Sequence, residues 1–386
     1  MMKIGIVGAG AMGRGIAQVA ATAGHEVYLY DANVEALQSA TTNLRHMLDM
    51  LSQKGKMTES AANATFHRFH FIEKKLDLLK DCNLVIEAIV ENLDAKKALF
   101  YELQEVVSQD CILATNTSSL SITAIAAACR DATRVLGIHF FNPAPLMKLV
   151  EIIPAVQTDK KTIENARNLI ESWGKTTVLA KDTPGFIVNR VARPFYGEAL
   201  RIYEEGIADI ATIDWAIKEI GQFKMGSFEL MDFIGHDVNY TVTETVFREF
   251  FYDPRYKPSF SQKRLVEAGY LGKKSGQGFY SYAENTIQPE PNKNEALGEQ
   301  IVRRVVIMLI NEAADAVFWN IASKEDIDLA MTMGVNYPKG LLKWADDLGI
   351  AECVEMMDAL YRNYHEDRYR CSPLLRRMAR EGETFY

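Results

Sequence analysis

Within the first 31 residues an apolar, β-branched run from Lys3 to Val7 leads into Gly8-Ala9-Gly10-Ala11-Met12-Gly13. A small-residue segment then reaches Ala23 and Gly24, and a second run, Glu26 to Tyr30, stops at Asp31. Few local patterns restrict a fold as much as this one. The first run suits a strand buried on both faces, and the spacing after it predicts a helix that Gly24 ends. Gly8 permits a tight turn, Gly10 lets the backbone approach a diphosphate, and Gly13 lets the helix lie close against the strand. The helix amino terminus, from Ala11 and Met12 onward, offers N–H groups and partial positive charge to that diphosphate. Asp31 can accept both hydroxyl protons of an adenine ribose and would repel a 2′-phosphate, which favours NAD over NADP. The same aspartate could also serve as a plain helix cap.

The alternation of strand and helix continues. Leu84 to Val90 reads as a strand before a helix from Asn92 to Val107. Cys111 to Thr115 reads as a strand before Asn116-Thr117-Ser118-Ser119-Leu120 and a short helix. Val135 to Phe141 is a further strand, and Lys148–Ile153 and Thr176–Ala180 are closing strands around a helix from Asp159 to Trp173. Such a pattern implies a doubly wound α/β sheet of Rossmann type over residues 1–183, with ligands outside the carboxyl ends of its strands. Glu87, Asn116, Ser118 and His139 all fall at or near such ends.

Two of the candidate residues suit proton transfer. His139 ends an apolar strand beside the expected cofactor crevice, and imidazole is a natural base for a hydroxyl proton near neutral pH. Glu151 lies inside Leu149-Val150-Glu151-Ile152-Ile153, where a carboxylate is costly unless paired. An imidazole partner would satisfy it and would itself be oriented. From spacing alone, a structural histidine and an edge-strand glutamate fit equally well.

Six motifs bear on that choice: Gly8-Ala-Gly-Ala-Met-Gly-Arg-Gly-Ile-Ala-Gln18, Glu87-Ala-Ile-Val-Glu91, Asn116-Thr-Ser-Ser119, His139-Phe-Phe-Asn-Pro143, Lys148-Leu-Val-Glu151 and Pro184-Gly-Phe-Ile-Val-Asn-Arg190. Together with Leu271-Gly-Lys-Lys-Ser-Gly-Gln-Gly-Phe-Tyr280, they resemble the L-3-hydroxyacyl-CoA dehydrogenase family in that family's order, over nearly three quarters of the chain. The resemblance implies NAD-dependent, reversible oxidation of an L-3-hydroxyacyl-CoA, with a short chain such as 3-hydroxybutyryl-CoA expected. It implies His139 as general acid/base, Glu151 as its orienting partner, and Ser118 and Asn189 as hydrogen-bond donors to the reacting oxygen. Glu91 and Asn116 would border the nicotinamide end of the cofactor, although Glu91 also reads as an ordinary acid at a helix start. Lys54 matches a CoA-contacting lysine, but its companion one turn earlier is Met50, and a solvated helix end fits Lys54 as well. Relatives acting on a free hydroxy acid (L-gulonate or carnitine) share much of this constellation, as do non-catalytic NAD-binding crystallins. The retained His139, Glu151, Ser118 and Asn189 argue against the crystallin case.

From Pro184 onward the chain reads as helical. Residues 188–235 realign with 302–349 at a constant shift of 114: Glu198-Ala199 with Glu312-Ala313, Ile213-Asp214 with Ile327-Asp328, Gly226 with Gly340, Asp232 with Asp346 and Gly235 with Gly349. The implied organisation is a duplicated all-α region, with copy one at 184–282, an exposed linker at 283–294 and copy two at 295–386. Asn189 becomes Arg303 in the second copy, so that copy is expected to be structural. Its docking would give a monomer with an internal pseudo-dimer, a homodimer being the alternative. The block Met231 to Thr243 resembles the two-repeat branch that includes 3-hydroxybutyryl- and 3-hydroxyadipyl-CoA dehydrogenases. There His236 reads as a structural helix residue.

Composition removes other classes. A net charge of −8 gives no general attraction for nucleic acid or anionic membrane, so an anionic thioester must be held locally. Cys82, Cys111, Cys129, Cys353 and Cys371 are widely spaced and form no CxxC pair. That predicts free thiols, no metal site and a cytoplasmic protein. No run is long enough to span a bilayer.

Overall fold

The computed structural model describes residues 1–73 and 75–386, which fall into two compact units, Met1–Thr183 and Pro184–Tyr386. The first unit is built on an eight-stranded sheet. Its strands are β1 (Lys3–Val7), β2 (Glu26–Tyr30), β3 (Phe69–Ile72), β4 (Leu84–Glu87), β5 (Ile112–Thr115), β6 (Val135–Phe140), β7 (Leu149–Pro154) and β8 (Thr176–Leu179), in the order β3-β2-β1-β4-β5-β6-β7-β8. The run from β3 to β6 is parallel. β7 pairs antiparallel with β6, and β8 runs parallel to β7. Strand β3 was not anticipated, because Phe-His-Phe-Ile offers only four residues and no turn signal. Helices α1 (Ala11–Thr22), α2 (Val34–Gln53), α3 (Glu59–Phe66), α4 (Leu93–Val106), α5 (Ile122–Ala126) and α6 (Lys160–Ser172) cover the sheet. The central strands are apolar because both faces are covered: Ile4, Ile6, Leu84, Val85, Ile86 and Leu113 are fully buried.

The second unit is helical. Its first part contains α7 (Val188–Val191), α8 (Arg193–Glu204), α9 (Ile210–Trp215) continued by a π-helical stretch, α10 (Ser227–Ile234), α11 (His236–Glu249) and α12 (Phe260–Glu267). Its second part contains α13 (Glu295–Phe318), α14 (Lys324–Gly334), α15 (Leu341–Leu348), α16 (Ile350–Tyr364) and α17 (Pro373–Glu381). The two parts repeat in their hydrogen bonds as well as their order. Asp214 accepts from the N–H groups of Phe228 and Glu229, and Asp328 accepts from Leu342 and Lys343. Gly226 and Gly340 are required there, since a Cβ on either would sit 2.2 or 2.3 Å from the aspartate. Asp232 binds the N–H groups of Phe279 and Tyr280, and Asp346 those of Phe385 and Tyr386. The repeat therefore runs on to the last residue, with most of the stretch from Gly269 to Phe279 deleted in copy two.

The copies grip each other crosswise. Arg190 reaches Glu312 at 2.6 Å, and Arg304, its equivalent, reaches Glu198 at 2.9 Å. Tyr256 donates to Glu312, and Tyr369 to Glu198. This reciprocal exchange is the pattern of a two-fold interface between identical subunits, here within one chain. Around it α13 packs on α7 and α8, burying Ile307, Leu309 and Ile310 alongside Val191 and Leu200.

Candidate active site

The glycine loop follows β1 at the carboxyl edge of the sheet. Gly8 has φ +108°, and a Cβ there would lie 2.5 Å from the Ala88 carbonyl oxygen; at Gly13 it would lie 1.8 Å from that of Gly8. A Cβ on Gly10 would meet nothing within 4 Å, so this face of the loop is open. Helix α1 begins at Ala11 without any side-chain cap, and the first N–H groups, Ala11, Met12 and Gly13, belong to a helix end of the anion-binding kind. Asp31, at the end of β2, accepts from Ala9 N at 2.7 Å and Asn33 N at 2.8 Å, tying the second strand to the loop. An open cradle, an uncapped helix start and a carboxylate beyond β2 together fit a dinucleotide with a free 2′-hydroxyl.

On the neighbouring strands, register gathers the remaining groups. Glu87, Thr115 and Gly137 lie side by side across β4, β5 and β6, so the residues that follow them emerge together. His139 faces Glu151 directly across the antiparallel β6–β7 pair, and Nδ1 meets Oε2 at 2.6 Å. Glu151 is fully buried and His139 nearly so, so the short bond lies out of water. The Asn116 side chain accepts from Phe140 N at 2.8 Å, fixing the strand end just after His139.

Glu91 organises the loop after β5. It accepts from Thr117 Oγ1 at 2.5 Å, Ser118 N at 3.1 Å and Ser119 Oγ at 3.1 Å, so Ser118 is held by its backbone. Burial pushes the Glu91 carboxyl up, but Lys96 and these hydrogen bonds outweigh it and leave the group below the usual carboxylate range. Lys96 was missed in the sequence. Its ammonium is almost wholly buried, 2.5 Å from Glu87 and 3.3 Å from Glu91, while Glu87 also accepts from Thr115 Oγ1. The available signal was position: Lys96 shares the buried face of α4 with Phe100 and Leu103.

Two further expected residues belong to helices. Lys54 caps the carboxyl end of α2, and its exposed ammonium makes no hydrogen bond or ion pair among the described residues. Asn189 belongs to the second unit, on α7. His236 is fully buried, its Nε2 2.6 Å from Asp232, which suits a structural residue. No His, Cys, Asp and Glu cluster that could hold a metal occurs among the described residues, nor does a helix long and apolar enough to cross a membrane.

Comparison with known proteins gives the same outline. The family model for the NAD binding domain of 3-hydroxyacyl-CoA dehydrogenase matches residues 3–183, and that for its C-terminal domain matches twice, at 185–282 and 301–384. The chain is 37% identical to a 3-hydroxyadipyl-CoA dehydrogenase of Escherichia coli K12, over 98% of both chains. It is 42% identical to a probable 3-hydroxybutyryl-CoA dehydrogenase of Deinococcus radiodurans, over 73% of this chain and all of that one. Among solved structures, a 3-hydroxybutyryl-CoA dehydrogenase from Escherichia coli K12 superposes with a TM-score of 0.93 at 37% identity, over 98% of both chains.

Proposed function

The chain belongs to the 3-hydroxyacyl-CoA dehydrogenase family and is an NAD-dependent oxidoreductase of 3-hydroxyacyl-CoA thioesters, and we propose that it acts on short acyl chains with His139 as general acid/base. The observation that carries this reading is the buried His139–Glu151 pair at the carboxyl edge of a sheet that also bears the glycine loop. Bound NAD supplies the hydride acceptor; Gly8, Gly10, Ala11, Met12, Gly13 and Asp31 would hold it, with Glu91 and Asn116 at its nicotinamide end. In the oxidation direction His139 takes the hydroxyl proton at Nε2. Glu151, on Nδ1, sets which nitrogen faces the substrate and stabilises the ring once it is charged. Ser118 and Asn189 donate to the oxygen as it gains negative character. Lys54 offers local charge for the phosphates of CoA, which the protein's net negative charge would otherwise repel.

Copy two carries Arg303 in place of Asn189, so we assign it no second site. It occupies the position of a partner subunit and braces the helices bearing Asn189, which supports a monomeric enzyme. The five buried thiols fit a reducing, cytoplasmic setting. Initial rates with acetoacetyl-CoA and free acetoacetate, each with NADH and NADPH, test the reading. NADH is expected to be preferred by at least about tenfold, roughly 1.4 kcal/mol, and the thioester to be the substrate. Equal use of NADPH would remove the role of Asp31, and equal use of acetoacetate would remove CoA.

A further inference from the structure

Arg193 opens α8 with 6% of its surface exposed, a buried charge to which the reaction as described gives no task. The other buried arginines of this unit, Arg190, Arg201, Arg255 and Arg304, each meet a carboxylate. Arg193 meets none among the described residues. Nε donates to the Asn189 carbonyl at 2.8 Å and Nη1 to Thr243 Oγ1 at 3.0 Å, while the guanidinium lies over the Tyr196 ring. It thus ties the backbone of α7, at Asn189, to a side chain of α11. Pro194, the second residue of α8, has no N–H to offer the carbonyl one turn back, so Arg193 bridges where the helical ladder is interrupted.

Thr243 is itself supported from behind. Its hydroxyl donates to the Asn239 carbonyl at 3.0 Å. Gln262 Nε2 donates to Asn239 Oδ1 at 3.0 Å and reaches His236 Nδ1 at 3.3 Å, and His236 Nε2 meets Asp232 at 2.6 Å. A buried polar chain therefore runs from the Asp232 cap to the backbone of Asn189.

The internal repeat supplies a control. In copy two Arg193, Thr243, Asn239, Gln262 and His236 become Ile307, Met357, Cys353, Leu375 and Ile350, all buried. Asp346 still makes the cap that Asp232 makes, and α13 runs unbroken through Met308, the counterpart of Pro194. Hydrocarbon and one thiol thus fill these positions in the copy that carries Arg303 in place of Asn189. A buried guanidinium without a carboxylate is costly, and desolvation pulls its proton affinity below the ordinary value. The packing does not require that cost; the polar chain, the helix break and Asn189 occur together in one copy.

We propose that Arg193 is a positioning residue of the reaction: its bridge from Thr243 to the Asn189 carbonyl fixes α7, and so the placement of the Asn189 amide against the reacting oxygen. The proposal rests on the assignment of Asn189 to that oxygen. A misplacement of about 1 Å can cost about 10²-fold in rate, and a charge-assisted bond resists it roughly twice as strongly as a neutral one.

Turnover of acetoacetyl-CoA with NADH by the full chain, in a double-mutant cycle of Arg193→Ile and Asn189→Ala, tests it. Asn189→Ala is expected to lower kcat by about 10²–10³-fold, the range for one donor to a developing oxyanion. Arg193→Ile should lower kcat by about 10–100-fold, with KM and the thermal midpoint little changed, since copy two accepts isoleucine there. Added to Asn189→Ala, it should cost no more than about twofold further, because no amide remains to be positioned. Arg193→Lys, which keeps a charged donor, should recover part of kcat. Thr243→Val, which removes the anchor and leaves the arginine, should show a smaller loss in the same direction. Wild-type turnover by Arg193→Ile beside a slow Asn189→Ala overturns the proposal. A full additional loss in the double variant also overturns it, since Arg193 would then act independently of Asn189. If Arg193→Ile does not fold, Thr243→Val takes its place in the cycle, and additive losses there overturn the proposal. Normal turnover by Asn189→Ala would refute the role of Asn189 and the proposal with it.

Discussion

Replacing Glu312 by glutamine removes one charge from the crosswise seam between the helical copies. Glu312 is 2% exposed and takes Arg190 at 2.6 Å, Tyr256 at 2.5 Å and Arg255 at 3.4 Å. Arg255 keeps Asp253 and Asp315, but Arg190 loses the carboxylate it pairs with. Leaving a buried guanidinium unpaired costs about 3–5 kcal/mol. For a unit of about 200 residues, each kcal/mol lowers Tm by roughly 2–4 °C, so the expected fall is about 6–20 °C. Scanning calorimetry measures it, with Glu352→Gln as reference. Glu352 pairs with Arg303 at the surface, both groups about half exposed, and its loss should cost less than about 1 kcal/mol. Glu198→Gln, the pseudo-symmetric change, should resemble Glu312→Gln. If Glu312→Gln destabilises no more than Glu352→Gln, the seam does not hold the copies together and the argument fails.

Light scattering of the full chain should give a mass near the 43.4 kDa of one chain, because copy two already covers the surface a partner would use; a dimer joined through the first copies would contradict this. Stability should also respond to Asp214, whose carboxyl burial pushes up to about 7 despite the N–H groups of Phe228 and Glu229 and the Tyr280 hydroxyl. A carboxyl raised above its unfolded value binds its proton more tightly when folded, so this contribution is complete below about pH 4 and is lost as the pH rises through 7. Asp214→Asn should flatten the part of the Tm profile between pH 5 and 8, and an unchanged slope would show that this group does not titrate there.

Residues whose role is set by backbone geometry were legible in the sequence. Gly8 and Gly13 can only be glycine where a neighbouring carbonyl stands within 2.5 Å, and a fixed spacing follows from that. His139 and Glu151 were legible as types, but their partnership depends on the length of the β6–β7 connection, which sets the register and has no local signature. Lys96 was invisible for a different reason. A lysine on a helix normally lies in water, and only the convergence of Glu87 and Glu91, from a strand end and a loop, makes it a buried counter-charge. The residue-by-residue match of the copies beyond Gly235 and Gly349 escaped because the shift of 114 becomes 113 at Arg255 and Arg368, and 106 at Phe279 and Phe385. The structure restores it through the shared aspartate caps.

The role of His139 is the claim on which the reaction depends, and turnover of acetoacetyl-CoA by His139→Gln tests it most directly when NADH affinity is measured on the same protein by fluorescence titration. The account predicts a fall in kcat of about 10²–10⁴, the range for a positioned acid/base, with NADH affinity within about twofold of wild type, since the loop and Asp31 are untouched. Turnover close to wild type would contradict it.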